Sequence, residues 1–590
     1  MFKTNTDRLD YSTMLLPPVG YKTSFAVGTT YSLDLETLIS MCITLGLKED
    51  IDSKLSGSPI CMLEALRQVS DKMLIFCEAG QIMAPDKQNK LFPFLENSVV
   101  TVNVNKNKSF HPKVWLTKYE NENEADHYRL LVLSRNLTFD HSWDVAVCLD
   151  GRKTERVQAK SRPLCDFLSY LLTRIDSSFD KMRLKKKSLK KLCAELSQVE
   201  FNLNHKNFYD FQFIPLGIDE RYNKEATGLF NSTYHGLFVI SPFLSKGIME
   251  RLRTLQLTNA EKVLVTRKSE LPKLSKDFLE DYATYTLKDE VIDGEDRLEE
   301  EGKSRKQDIH AKIYLKCKYS DSELYLGSAN ASEKAFHGNI EFLLKLYTKN
   351  RYLNVASLKN DLFGSDEKLN PFTRVNPQEY VVEDSDAVQE ELQKAIKTFC
   401  RAKVAAEISE GYTLTLKVDK LKTDLLKDLT LYINPIMITK KELVRETIVF
   451  QNLQLSQLSE FYVLTAVKRE QELSRVVKIP TNGITDERDS NIFNSIVASK
   501  EGFIQYISFL LGEDYLLTFI EDFASKDSAY KFLSFSGLDT PVLYEKMLKT
   551  AATNPDKLRE IKKVMEMISD RDIIPQEFYE LYQSFEKAVL

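Results

Sequence analysis

Two stretches of the chain carry the same short arrangement of chemically useful residues. They are His111-Pro112-Lys113-Val114-Trp115-Leu116 and His310-Ala311-Lys312-Ile313-Tyr314-Leu315. An imidazole with its ordinary pKa of about 6.5 can act near neutrality as a nucleophile or base when neutral and as an acid when charged. A lysine ammonium beside it can neutralise an oxyanion. Taken singly, His-x-Lys describes no more than the polar face of a strand. The residues downstream of each pair repeat as well. After the first come Ser134-Arg135-Asn136 and then Asp144; after the second come Gly327-Ser328-Ala329-Asn330 and then Asn339-Ile340-Glu341. The His-to-Asn intervals are 25 and 20 residues and the Asn-to-acid intervals 8 and 11. Two ordered sets of His, Lys, Asn and acid in one chain are hard to assign to chance.

The chemistry such a set can do is cleavage of a phosphodiester, whose negative charge repels nucleophiles until it is neutralised. Lys113 and Lys312 would hold non-bridging oxygens, helped by Asn136, Asn330 and the hydroxyls of Ser134 and Ser328. One neutral imidazole would attack phosphorus while the opposing protonated one donates to the leaving oxygen. Asp144 and Glu341 would orient the histidines. The scheme needs no metal and no cofactor, and no carboxylate cluster in the sequence suggests a metal site.

These residues need elements to hold them. Strand-like runs at 25–29 and 73–77 flank a helical pattern over 35–45; runs at 237–240 and 263–265 flank another at 248–255. The repeat predicts two α/β units, each with a mixed sheet, packed together. On a strand, residues two apart face the same way. His, Lys and the aromatic Trp115 or Tyr314 are therefore expected to project together, with Val114, Leu116, Ile313 and Leu315 in the core. Either aromatic ring could stack a base at the cleft mouth or pack at a sheet edge. Beyond about residue 380, alternation at Tyr412–Val418, at Leu429, Leu431 and Ile433, and at Phe461, Val463 and Val467 predicts a small antiparallel β domain. From about 490 the period is helical, with a cap at Asn554-Pro555-Asp556 and apolar stripes at Leu558, Ile561, Met565 and Ile568 and at Phe578, Leu581, Tyr582 and Phe585.

On these motifs the chain resembles the phospholipase D superfamily over roughly residues 20–350. His310-x-Lys312, Gly327-Ser328-x-Asn330 and Asn339-x-Glu341 match its pattern closely; His111-x-Lys113, Ser134-x-Asn136 and Asp144 match in order. The resemblance implies two half-sites facing across a pseudo-two-fold axis to make one active site. The Asp that often follows the Lys by five positions is replaced by Lys118 and Cys317. That is similar to the His-Lys-Asn variant of tyrosyl-DNA phosphodiesterases. It implies a nuclease-like branch, with DNA favoured over RNA, and a likeness to bacterial nucleases of restriction and phage-defence systems. In that variant the first His attacks, which implies His111 as nucleophile and His310 as acid and then base. A partner ATPase or helicase is implied by the same likeness, since no Gly-x-x-x-x-Gly-Lys-Ser/Thr loop occurs here. A catalytically inactive nucleic-acid-binding scaffold and a lipid phosphodiesterase are the rival readings.

The expected fold is thus α+β: a first phospholipase-D-like half over 1–205, a second over 206–380, a β-rich domain over 381–485 and a helical domain over 486–590. Composition limits the rest. The chain has 590 residues, 43% hydrophobic and 28% charged, with a net charge of −5, so a polyanion site must be a local patch. Eight scattered cysteines without a Cys-x-x-Cys pair read as reduced thiols. Without a signal-peptide pattern or a long apolar run, the expectation is a cytoplasmic protein with no membrane association. The basic run Lys181–Lys191 reads as the solvated face of a connecting helix or as a phosphate contact. The acidic run Asp289–Glu301 reads as a surface loop or a gate. The five histidines outside the motifs, His127, His141, His205, His235 and His337, read as structural or exposed.

Overall fold

The computed structural model describes residues 11–46, 59–105, 107–139, 142–176, 178–288, 308–364, 370–380, 387–419, 428–511, 540–553 and 555–589. The first part of the chain forms strands β1 (Lys22–Thr30), β2 (Met73–Glu78), β3 (Ile82–Met83), β4 (Val99–Val102), β5 (Val114–Glu120), β6 (His127–Leu133), β7 (Ser142–Trp143), β8 (Ala146–Lys153) and β9 (Val199–Asn202). The next part forms β10 (Phe208–Leu216), β11 (Tyr234–Ile240), β12 (Gln256–Val265), β13 (Ala283–Leu287), β14 (Asp308–Ile309), β15 (Ile313–Lys318), β16 (Asp321–Gly327), β17 (Glu341–Lys349) and β18 (Phe372–Arg374).

One sheet has the order β4-β2-β1-β5-β6-β8-β9; the other, read from its far end, runs β18-β13-β12-β11-β15-β16-β17-β10. With β18 set aside, the two orders superpose strand for strand. In each, two parallel pairings (β1·β2 and β2·β4; β11·β12 and β12·β13) give way to antiparallel ones from β1·β5 and β11·β15 onward. The internal repeat of the sequence is thus a repeat of topology.

The sheets are buried on both faces, so strands such as Met73–Glu78 are apolar almost without interruption. Phe25, Val27, Leu74, Val114, Leu116 and Leu130 of the first sheet share one core with Phe238, Ile240, Ile313, Leu315 and Phe342 of the second. The helix Arg162–Leu172 enters the same core through Leu164, Phe167 and Leu171, and Phe167 packs on Phe342 with ring centroids 5.1 Å apart. The halves are one body because neither inner face has another way to leave water.

Trp115 and Tyr314 lie on the outer faces, 2% and 0% exposed, and the Tyr314 hydroxyl donates to the Ala329 carbonyl at 2.9 Å. Base stacking by these rings is excluded. The His-x-Lys segments also do not lie on strands as expected; they lead into β5 and β15, which begin at Val114 and Ile313. The side chains ahead of a strand are freed from its strict alternation.

The third part folds as β19 (Lys403–Ser409), β20 (Thr413–Asp419), β21 (Thr430–Pro435), β22 (Glu442–Leu443), β23 (Thr447–Phe450), β24 (Phe461–Lys468), β25 (Gln471–Lys478) and β26 (Thr481–Asn482). These make sheets β23-β20-β19-β26 and β22-β21-β24-β25-β3, packed with the helix Ala387–Cys400. The edge strand β3 belongs to the first half, pairing Met83 with Arg475 and Ile82 with Val476. The later helices, including Glu487–Val497, Lys500–Leu511 and Asp556–Met567, share a core with Leu35–Gly46 and Pro59–Val69 of the first half. Tyr506 donates to the buried Glu64 and accepts from Arg67 across that seam.

The basic run lies on the helix Asp180–Leu196. Lys185 departs from both expectations for it: its buried ammonium is held by the carbonyls of Ser70, Met73 and Asn97, and burial pushes its pKa down to about 7. Lys118, at a place where the resemblance would have an Asp, pairs with Glu120, Asp126 and Glu195. The acidic run, His141 and the cap at Asn554 lie outside the described residues. No helix among the described residues is long and apolar enough to cross a membrane.

Candidate active site

Each half builds its site from the same parts. The Ser134 amide donates to the Val145 carbonyl at 2.9 Å and its hydroxyl accepts from the Val145 amide at 2.9 Å; Ser328 does the same with Phe342 at 3.0 and 2.9 Å. Both serines are wholly buried. Each then donates its hydroxyl proton to the acid of its own half, Ser134 to Asp144 at 2.8 Å and Ser328 to Glu341 at 2.5 Å. At each place a single small hydroxyl both closes the strand pairing and holds the carboxylate. Further up the turn, the Thr30 hydroxyl accepts from the Leu137 amide and the Ser241 hydroxyl from the Ala331 amide, both at 2.9 Å. These bonds fix the loops that carry Asn136 and Asn330.

The halves are joined at the histidines. The His111 amide donates to the carbonyl of Ile340, the residue before Glu341, at 2.9 Å. The His310 amide donates to the carbonyl of Trp143, the residue before Asp144, also at 2.9 Å. The backbone of each half therefore brings the residue before its acid against the histidine of the other. The short parallel pairing of β14 with β7 is the same contact on one side, and the bridge from Phe110 to Ile340 is its counterpart.

On the first side the side chains complete the arrangement. Glu341 accepts from His111 Nδ1 at 2.8 Å, from Ser328 and from Asn339 Nδ2 at 3.1 Å, and is itself fully buried. Three donors thus converge on the one carboxylate. Lys113 Nζ donates to His111 Nε2 at 3.0 Å and to the His111 carbonyl at 3.2 Å. Burial lowers the His111 pKa to about 4; Glu341 opposes the shift, and Lys113 and Lys312 reinforce it. The imidazole is thus neutral at pH 7, its proton on Nδ1 toward Glu341 and its Nε2 lone pair turned toward the lysine. Lys312, from the other half, is near enough to act on this ring, and its ammonium donates to the His310 carbonyl. Lys113 and Lys312 are 1% and 4% exposed. The Asn136 carbonyl oxygen accepts from the Ser32 amide at 3.5 Å. The Asn330 carbonyl oxygen is buried with no hydrogen-bond partner.

The structure thus brings His111, Lys113, Ser328, Lys312 and Glu341 into one cluster, and places Ser134, Asp144 and His310 at the matching point of the other half. Asn136 and Asn330 stand on the flanking loops. Two neighbours escaped sequence reading. The Tyr31 ring packs against His111 with centroids 5.1 Å apart, and Lys397 of the third part lies 5.6 Å from the Tyr31 ring. Tyr31 follows directly on β1, next to a parallel neighbour, where ligand-binding residues of α/β sheets gather; that position was the available signal. For Lys397 the sequence held none. Among the described residues, no three His, Cys, Asp or Glu side chains gather as a metal site would require.

No family model and no curated protein matches the chain. Among solved structures it is similar to yeast tyrosyl-DNA phosphodiesterase, at 11% identity over 57% of this chain and 85% of that one, with a TM-score of 0.35. A mutant of the same yeast enzyme gives 12% identity, 58% and 86% coverage and a TM-score of 0.35. Polyphosphate kinase from Porphyromonas gingivalis gives 12% identity over 66% of this chain and 51% of that one, with a TM-score of 0.31.

Proposed function

We propose that the protein is a phosphodiesterase of the phospholipase D kind that cleaves nucleic acid, DNA above all, through a covalent phosphohistidine and without a metal. The observation that carries this reading is the His111 imidazole, held neutral at the seam between Glu341 and Lys113 with Lys312 beside it. A neutral imidazole whose far nitrogen is fixed by a carboxylate is a ready nucleophile. Two buried ammonium groups at the same point supply the positive charge that a phosphodiester needs.

In the proposed reaction the phosphate draws Lys113 from Nε2 onto a non-bridging oxygen, and Lys312 takes the other. The His111 Nε2 lone pair forms the N–P bond while the P–O bond to the leaving group breaks. His310, charged at that moment and oriented by Asp144, gives its proton to the departing oxygen. Glu341 stabilises the positive charge on the phosphorylated ring. His310, now neutral, takes a proton from water as that water attacks phosphorus, and the P–N bond breaks to restore neutral His111. The Asn330 carbonyl is an acceptor, so in this scheme it serves a hydroxyl or amine of the substrate, while the Asn side-chain amides serve phosphate oxygens.

The test is a panel of labelled single- and double-stranded DNA and RNA, a fluorescent phospholipid and bis(p-nitrophenyl) phosphate, each with and without EDTA. The expected result is cleavage of DNA and of the small diester that persists in chelator. Cleavage restored by magnesium alone rejects the mechanism. Phospholipid turnover without nucleic-acid turnover reverses the substrate class, and binding without turnover makes the protein a scaffold.

A further inference from the structure

The third part of the chain reaches the candidate site through strand β25 and the helix Ala387–Cys400. Lys397 Nζ sits 3.0 Å from Glu78 Oε1 and 3.4 Å from the Ser109 hydroxyl; the other Glu78 oxygen accepts from the Phe110 amide at 2.7 Å, one residue before His111. The Asn103 side chain donates to the Cys400 carbonyl at 3.0 Å. The helix is thus sewn to the segment that carries the nucleophile.

Arg475 comes to the same place from the other direction. Its strand pairs with β3, and Met83, opposite Arg475, donates its amide to the carbonyl of Leu33 at 2.8 Å, two residues past Tyr31. The Arg475 guanidinium and the Tyr31 phenol lie within electrostatic reach of each other. Its Nη1 donates to the Ser474 carbonyl at 2.9 Å, while its Nε is buried with no partner. Among the described residues no carboxylate pairs with it; Glu78, which holds Lys397, does not. Arg475 is half-buried, and taking a cation even partly out of water without a counter-charge is costly. A protein keeps such a group where an anion arrives from outside, as arginine does for phosphate.

Resting on the phosphodiesterase reading above, we propose that Arg475, with Tyr31 and Lys397, forms a second anion subsite beyond His111 that takes the phosphate adjacent to the one being cleaved. The substrate is then a polynucleotide with consecutive phosphates, and the third domain is part of the binding cleft.

The test uses the full-length protein with a ten-nucleotide single strand and with bis(p-nitrophenyl) phosphate, which has no second phosphate. Arg475→Gln is expected to raise KM for the oligonucleotide about tenfold and to flatten the salt dependence of binding by about one unit of slope. The loss on the small diester should be at least tenfold smaller, and Arg475→Lys should restore part of the oligonucleotide affinity. Equal losses on both substrates, or none on the oligonucleotide, overturn the subsite while leaving the phosphodiesterase reading intact. If the wild-type protein turns over neither probe, that reading fails, and fluorescence anisotropy of the oligonucleotide decides the subsite alone. Weaker binding by Arg475→Gln then supports it and unchanged binding rejects it. Thermal melts guard against misfolding: loss of an uncompensated cation should leave Tm unchanged or raise it, and a large fall would mark Arg475 as structural and overturn the proposal.

Discussion

Glu341 accepts a hydrogen bond from Nδ1 of His111 at 2.8 Å, across 230 residues of sequence and across the seam between two sheets. The acid that looks like the end of the second motif thus serves the histidine of the first. The backbone bonds His111 to Ile340 and His310 to Trp143 repeat the same cross-seam contact on both sides.

Glu341→Gln should therefore injure the first motif more than its own. The amide keeps the size of the carboxylate but removes the charge that supports a cationic phosphohistidine. The rate of adduct formation should fall by about 10²-fold or more, measured in single turnover with bis(p-nitrophenyl) phosphate. An unchanged rate would mean that His111 is not the attacking group.

The pH profile should carry the mark of burial. Desolvation, helped by the two lysines, holds His111 at about 4 in the folded protein, against about 6.5 unfolded. The acid limb of kcat/KM should then fall near pH 4. For stability, the unfolded chain binds the extra proton between those values, so the contribution of this group is full above pH 6.5 and is lost as pH falls toward 4, by up to about 3 kcal/mol. Denaturant titrations of wild type and His111→Asn between pH 4 and 7 should diverge in that direction. Parallel curves would show an ordinary, hydrated histidine.

The two histidines should separate on denaturing gels. His310→Asn should accumulate a protein–nucleic acid adduct when the leaving group is good, because such a group departs with little protonation while hydrolysis still needs a base. His111→Ala should form none. An adduct mapped to His310 would reverse the roles.

Removing residues from 486 onward should not leave intact halves. Phe493, Val497, Phe503, Tyr506 and Ile507 pack in one core with Ile60, Leu63 and Leu66, and losing even one large buried aromatic ring costs about 3–5 kcal/mol. The truncated chain should be insoluble or melt far below the full chain by circular dichroism. A native-like melt would show the helices to be an independent unit.

Much of the candidate site was legible in the sequence because its residues are of rare types at repeated spacing. The His-Lys-Asn-acid order needed no coordinates, and neither did the apolar runs that become β1, β2, β11 and β12, since strands covered on both faces must be apolar at nearly every position. Three things had to wait. Which acid faces which histidine is settled by how the inner faces of two sheets find each other, and a one-dimensional pattern holds no record of that. Trp115 and Tyr314 share the period of the His-x-Lys pairs yet lie in the outer core, because the motif residues stand ahead of the strand and escape its alternation. Tyr31 stands beside His111 with Lys397 of a distant helix against it, and Arg475 is brought toward Tyr31 by the pairing of β3 with β25, a contact between segments almost 400 residues apart that satisfies the backbone of an edge strand and leaves no periodicity to read. Residue types and their order mark out the candidate groups. Which of them stand together is left to folding, because burial and pairing act between faces that meet only in the folded chain.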